Sequence, residues 1–198
     1  MKFFNHLVQR TYDIMLDLSA KPNAMLFLFI VAFAESSFFP IPPDVMLIPM
    51  ILATPNKAWT IAGLATISSV LGGYFGYGIG IFAFDMIAKP ILEFYNAFEQ
   101  FNEFENYYHQ YGAWIVFGAG ITPFPYKIIT IASGVVHLDL IVFTVASVLA
   151  RGMRFFFVAW LLKKYGAPMK IFIEKHLGIL SIVFLILLIG GFALIKYL

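Results

Sequence analysis

Two kinds of segment alternate along the chain. Residues 2–19 place Phe4, Leu7, Val8, Thr11, Met15 and Leu18 at helical spacing, with Asn5, Gln9, Arg10, Asp13 and Asp17 around the rest of the axis. That stripe predicts an amphipathic helix, which in a membrane protein lies in the interface. Residues 24–53 form a mostly apolar run of 30, where about 20 cross a bilayer once. The run is broken at Phe39-Pro40-Ile41-Pro42-Pro43-Asp44. Pro42 and Pro43 remove two backbone donors, and each proline disfavours helix in the residue before it. Each arm is too short to span alone. The pattern predicts a re-entrant hairpin whose tip is covered by protein or by a water cavity. Pro43-Asp44 suits the first turn of the second arm. Residues 57–84 then read as an uninterrupted spanning helix carrying Gly72, Gly73, Gly76, Gly78 and Gly80. Its two overlapping GxxxG spacings predict close helix packing.

The same order returns in the second half. Residues 91–111 are a second amphipathic stretch, 112–134 a second broken apolar run, and 138–162 a second spanning helix with Arg151 and Arg154. Residues 163–176 are basic, and 177–196 read as a last spanning helix. The two tips match: Pro40-Ile41-Pro42-Pro43-Asp44 and Pro123-Phe124-Pro125-Tyr126-Lys127 are both P-x-P-x followed by a charge, of opposite sign. The expected architecture is one all-α integral membrane domain over 1–198. Repeat 1 covers about 2–84 (hairpin 24–53, spanning helix 57–84). Repeat 2 covers about 91–164 (hairpin 112–134, spanning helix 138–162), and the C-terminal helix follows.

Charge orients the two repeats. Lys2, Arg10, Lys21, Lys57, Lys163, Lys164, Lys170 and Lys175 lie in connections that the positive-inside rule puts in the cytoplasm. The 85–111 linker sets Lys89 against Asp85, Glu93, Glu99, Glu103 and Glu105. The hairpins then enter from opposite faces. This is an inverted-topology repeat, a plan in which broken segments meet near the midplane and hold substrate.

Composition narrows the class. Of 198 residues 61% are hydrophobic and 12% charged, against about 25% charged in soluble domains. That excludes a disordered chain and an ordinary soluble enzyme. A net charge of +2 argues for no polyanionic partner, nucleic acid included. Cysteine is absent and four scattered histidines show no HExxH spacing, so neither a metal nor another cofactor is expected. The N-terminus is too polar for a signal-peptide core.

Phe33-Ala34-Glu35-Ser36-Ser37-Phe38-Phe39-Pro40-Ile41-Pro42-Pro43-Asp44 resembles the first signature of the DedA (VTT, SNARE-associated) membrane protein family. Gly118-Ala119-Gly120-Ile121-Thr122-Pro123-Phe124-Pro125-Tyr126-Lys127 resembles the second. The PxPYK ending, with Arg151-Gly152-Met153-Arg154-Phe155-Phe156 further on, is most similar to the YqaA-type branch. The resemblance covers roughly residues 25–162. It implies a multi-pass protein of the bacterial inner membrane that moves lipids between leaflets, undecaprenyl phosphate for some members and phospholipids for eukaryotic scramblase relatives. It also implies functional roles for an acidic pair, matched by Glu35 and Asp44, and for two arginines around the second proline. Those arginine positions fall near Gly120 and Tyr126, so the first is absent and Lys127 stands beside the second.

Ionisable residues inside apolar segments are costly and tend to be functional. Lys127, Arg151 and Arg154 are the candidates for holding a lipid phosphate, since Arg suits bidentate phosphate recognition. Glu35 and Asp44 are the candidates for proton or ion coupling; alternatively, Glu35 stabilises the tip and Asp44 caps the second arm. Pro40, Pro42, Pro43, Pro123 and Pro125 shape the tips. Asp139 and His137 are expected to cap a helix and meet the interface.

The leading expectation is a lipid-phosphate carrier or scramblase, proton-coupled through the acidic pair, whose partners are membrane lipids. A structural or assembly protein associating through its glycine face, and hence a homo-oligomer, stays open. An intramembrane enzyme using Ser36, Ser37 or Thr122 is disfavoured by the lack of GxSxG and of a histidine near the tips. Tip geometry separates these readings: charges converging on a wet cavity favour transport, and salt-bridged, sealed tips favour a structural role.

Overall fold

The computed structural model describes residues 14, 17–39, 42–95, 98–122, 124–166 and 168. The amphipathic helix expected over 2–19 lies largely outside these, and the C-terminal helix expected over 177–196 and the tip residues Pro40 and Pro123 lie wholly outside. Among the described residues the protein is helical, without strands.

Helix α1 is Ala24–Ser37 and α2 is Asp44–Ala53. A 3-10 turn, Pro55–Lys57, leads into α3, Ala58–Ala83. A π turn at Phe84–Ala88 continues into α4, Lys89–Tyr95. Helix α5 is Phe98–Ile121, α6 is Tyr126–Val135 and α7 is Leu140–Tyr165. Two stretches, Pro55–Phe94 and α7, are long and apolar enough to cross a membrane.

The first break falls where the prolines put it. Ala34 O accepts from both Phe38 N (2.8 Å) and Phe39 N (2.7 Å), which closes α1. Pro43 O then receives Met46 N and Leu47 N at 3.0 and 2.9 Å and opens α2. The second break is built alike, with Pro125 O accepting from Ile128 N (3.0 Å) to open α6. The boundary expected between an amphipathic stretch and a hairpin at residue 112 is not a break, because α5 runs through it. No proline stands there, and Gly112 supplies a flat spot for Leu138 rather than a stop.

Helix α3 is the common neighbour of α1, α6 and α7, and its glycines explain how. A Cβ on Gly72 would strike Phe33 O of α1. One on Gly76 would strike Thr130 Oγ1 and lie 3.1 Å from Ser36 O, and one on Gly80 would strike Ile131 O of α6. The glycine face is therefore filled by the chain's own short helices. It is not free for a second copy, as an assembly role through that face would require.

Two apolar clusters result. One joins Leu28, Met46, Leu47, Ile51 and Ile61 to Phe155 and Leu162. The other joins Tyr108, Val116 and Tyr126 to Val136, Phe143 and Ala146. Along α3 and α7 the polar residues Ser69, Ser147 and Arg151 fall between the segments that feed these clusters. At the start of α7, Asp139 Oδ1 accepts from Ile141 N and Val142 N, both at 2.9 Å. This is the expected N-cap. His137 takes a left-handed φ of 51° in the preceding turn, which Tyr77 pins by donating to Leu138 O (2.6 Å).

Candidate functional site

The polar layer is built on α7. Arg151 and Arg154 stand one turn apart and face the first broken pair, α1 and α2. Arg151 Nη2 donates to Glu35 Oε2 at 2.7 Å, and its side chain is 1% exposed. Arg154 Nη2 donates to Asp44 Oδ2 at 2.6 Å, with the two side chains 20% and 17% exposed. Arg154 Nη1 also donates to Thr122 O (2.9 Å) at the end of α5. Lys127 comes from the second pair, where its Nζ donates to Phe39 O (3.2 Å). Thr130 Oγ1 on the same helix donates to Ser36 O (3.0 Å). The two breaks therefore abut, and all five charged candidates gather around them.

A second hydrogen-bonded route joins the deeper pair. Arg151 Nε donates to Ser69 Oγ (2.6 Å), Ser69 and Ser36 hydroxyls meet at 2.6 Å, and Ser36 Oγ donates to Glu35 Oε2 (3.2 Å). Because the one Ser36 hydroxyl proton is committed to Glu35, the direction around the ring is fixed: Ser69 donates to Ser36 and Ser36 donates to Glu35. The guanidinium carbon lies over the rings of Tyr126 (4.9 Å) and Phe155 (4.7 Å), a favourable setting for a cation. The Tyr126 hydroxyl donates to Ser147 Oγ. Among the described residues no buried side-chain nitrogen or oxygen lacks a partner, as a buried polar network requires.

Ser69, Ser147 and Thr130 were not singled out as site residues by sequence. Their signal is a hydroxyl at mid-span of an apolar helix, and Ser69 shares its helix face with Gly72, Gly73 and Gly76. The hydroxyls weighed as nucleophiles are committed elsewhere. Ser37 Oγ donates toward Phe33 O and Gly72 O, Thr122 Oγ1 toward Ala119 O, and Ser36 belongs to the ring. His109 pairs with Glu105 at 3.8 Å on the outer surface of α5, and His137 lies edge-on to Phe84. No group of three metal-ligating side chains occurs among the described residues. Of the tip prolines, Pro43 is buried as the residue before α2, while Pro42 and Pro125 are exposed.

Among the described residues three cations, Lys127, Arg151 and Arg154, face two carboxylates, Glu35 and Asp44, at these breaks. Among the described residues no carboxylate lies within 4 Å of Lys127 Nζ, which rests on a carbonyl oxygen.

Most of this arrangement falls within a recognised unit: the family model for the VTT domain matches residues 41–164. The chain belongs to the VTT domain family. The match takes in Asp44, Lys127, Arg151 and Arg154 and begins just after Glu35. An uncharacterized protein of Haemophilus influenzae is 35% identical over 178 residues, spanning 88% of this chain and 90% of the relative. An uncharacterized protein of Histophilus somni is 37% identical over 179 residues, spanning 88% and 91%. No solved structure matches the chain significantly. VTT domain proteins are membrane proteins, in keeping with the two long apolar helices.

Proposed function

We propose that this VTT protein moves a phosphate-bearing lipid, of the phospholipid or undecaprenyl phosphate class, between the leaflets of a bacterial inner membrane. In this reading the α1/α2 and α5/α6 pairs are re-entrant segments of an inverted repeat, entering from opposite faces of a multi-pass domain. The observation that supports the proposal is that, among the described residues, three cations meet two carboxylates where the breaks abut, with Lys127 held on a carbonyl oxygen. A lone cation deep in a membrane is costly, and a lipid phosphate balances it.

The roles divide by exposure. Arg151, at 1% exposed and bonded to Glu35 and Ser69, anchors the layer instead of meeting the head group. Arg154 and Lys127 take the phosphate, Arg154 by exchanging Asp44 for it. Carboxylate and phosphate compete for one guanidinium, so protonating Asp44 favours lipid binding and ionising it favours release. Glu35 modulates the exchange through Arg151.

A second reading is favoured by the paired, sealed tips themselves: a static clasp joining the two halves, without transport. Leaflet-resolved translocation in proteoliposomes containing only this protein decides between them. Movement of phosphate-bearing lipids above protein-free vesicles supports transport. Its absence, with the protein folded and inserted, supports the clasp.

A further inference from the structure

An apolar groove of about 640 Å³ runs along the seam between α5 and α7. Its walls include Trp114 and Phe117 of α5 and Ile141, Val145, Leu149 and Met153 of α7. The volume lies within the range of small-molecule sites, about 300–1,000 Å³. Ala113 of α5 and Ala146 of α7 also line it, and their small side chains leave room between the helices. The rims stay open, with Trp114 66%, Ile141 74% and Leu149 54% exposed. The last lining residue along α7 is Met153, and the next residue, Arg154, bridges the same two helices by its bond to Thr122 O at the end of α5. From Ile141 to Met153 the helix advances roughly 18 Å at its usual rise, slightly more than half of the ~30 Å hydrocarbon core.

An apolar trough whose last lining residue, Met153, is followed in sequence by a partly exposed arginine has the polarity of one amphiphile with an anionic head. We infer that the α5/α7 groove seats one hydrocarbon chain of the lipid whose phosphate Arg154 takes. The inference rests on the transport reading for its head group. It adds that the chain is held along a defined seam rather than left in bulk lipid. Affinity then depends on both ends: the groove contributes apolar contact regardless of head group, and Arg154 selects the phosphate.

Trp114 provides the test. The chain has three tryptophans, so Trp59→Phe with Trp160→Phe leaves Trp114 as the sole reporter in the otherwise full-length protein. The purified protein in detergent is titrated with phosphatidic acid carrying brominated acyl chains, and separately with diacylglycerol carrying the same chains. The expected result is saturable quenching by both, with the phosphate lipid tighter by about tenfold or more. Ala113→Phe, which fills the groove, should weaken both lipids, whereas Val148→Phe on the exposed face outside it should weaken neither. Arg154→Gln should reduce the preference for phosphate to what Lys127 alone supplies and leave diacylglycerol unchanged.

Quenching that is linear, equal for both lipids and indifferent to Ala113→Phe overturns the inference, since it reports bulk lipid. Absence of quenching also overturns it, because residues 177–196 or a second copy would then cover the groove. The assay reads binding and not movement, so the two proposals fail separately. Saturable binding without translocation removes the transport reading alone, and translocation without saturable binding removes the groove alone.

Discussion

The Arg151 guanidinium and the Glu35 carboxylate meet at 2.7 Å across 116 residues of sequence. Their contact ties α7 of the second half to α1 of the first in a nearly dry layer. Removing one partner of a buried pair leaves the other uncompensated, at about 3–5 kcal/mol. Glu35→Gln and Arg151→Ala should each lower the thermal stability of the purified protein clearly. Glu35→Gln should also flatten the pH dependence of head-group binding. Lower stability with an unchanged pH profile would show that Glu35 only holds the tip together.

The shallower pair should respond in the opposite sense. In the proposed exchange the Asp44 carboxylate holds Arg154 at 2.6 Å, so Asp44→Asn should tighten binding of a phosphate-bearing lipid. Lipid titrations of wild type and Asp44→Asn check this, and equal affinities would remove Asp44 from the exchange.

Lys127 has no carboxylate within 4 Å among the described residues. A hydrogen bond to a charged group contributes about 1.5–3 kcal/mol, or roughly ten- to a hundredfold in affinity. Lys127→Ala should reduce lipid-phosphate translocation by such a factor while thermal stability changes little, and Lys127→Arg should retain most of it. A variant that transports normally would show that the Lys127 charge is irrelevant to cargo.

The glycines on α3 make a stability prediction independent of function. Gly80→Ala drives a methyl into Ile131 O and the Gly134–Val135 backbone, which cannot yield as a side chain would. Gly78 has nothing within 4 Å of its would-be Cβ. Gly80→Ala should therefore unfold well below wild type, while Gly78→Ala should match it or gain up to about 1 kcal/mol from helix propensity. Thermal unfolding of the two variants gives the comparison.

Topology can be read with single cysteines, since the chain has none. Asn56 and Asn102 are both exposed. Asn56→Cys and Asn102→Cys should be labelled by an impermeant reagent from opposite sides of the membrane. Labelling from one side would refute the inverted repeat.

The breaks near Pro42-Pro43 and Pro125 were legible in the sequence, because proline removes donors wherever it stands. The spans of α3 and α7 were legible from uninterrupted apolar length. The continuity of α5 across Gly112 was not, because a change from mixed to apolar residues alters a helix's surroundings without ending it. The gathering of Glu35, Asp44, Lys127, Arg151 and Arg154 at the two breaks was expected from the matching P-x-P-x-charge tips. Which arginine meets which carboxylate was not: it depends on the register of α7 against α1 and α2. That register is set by packing such as Phe155 among Met46, Leu47 and Ile61. The bridging role of Ser69 was hidden for the same reason, since its partners come from two other helices.

The glycine contacts on α3 also limit how the protein can rearrange. Where backbone rests directly on backbone, as at Gly72 with Phe33 and Gly80 with Ile131, there are no side chains whose rotamer changes could absorb a displacement. Repositioning either tip thus means sliding an entire short helix over a smooth track. On that track α1 and α6 touch neighbouring positions, both meeting Gly76 through Ser36 O and Thr130. The two halves share one rail, and neither can travel far along it without pushing the other.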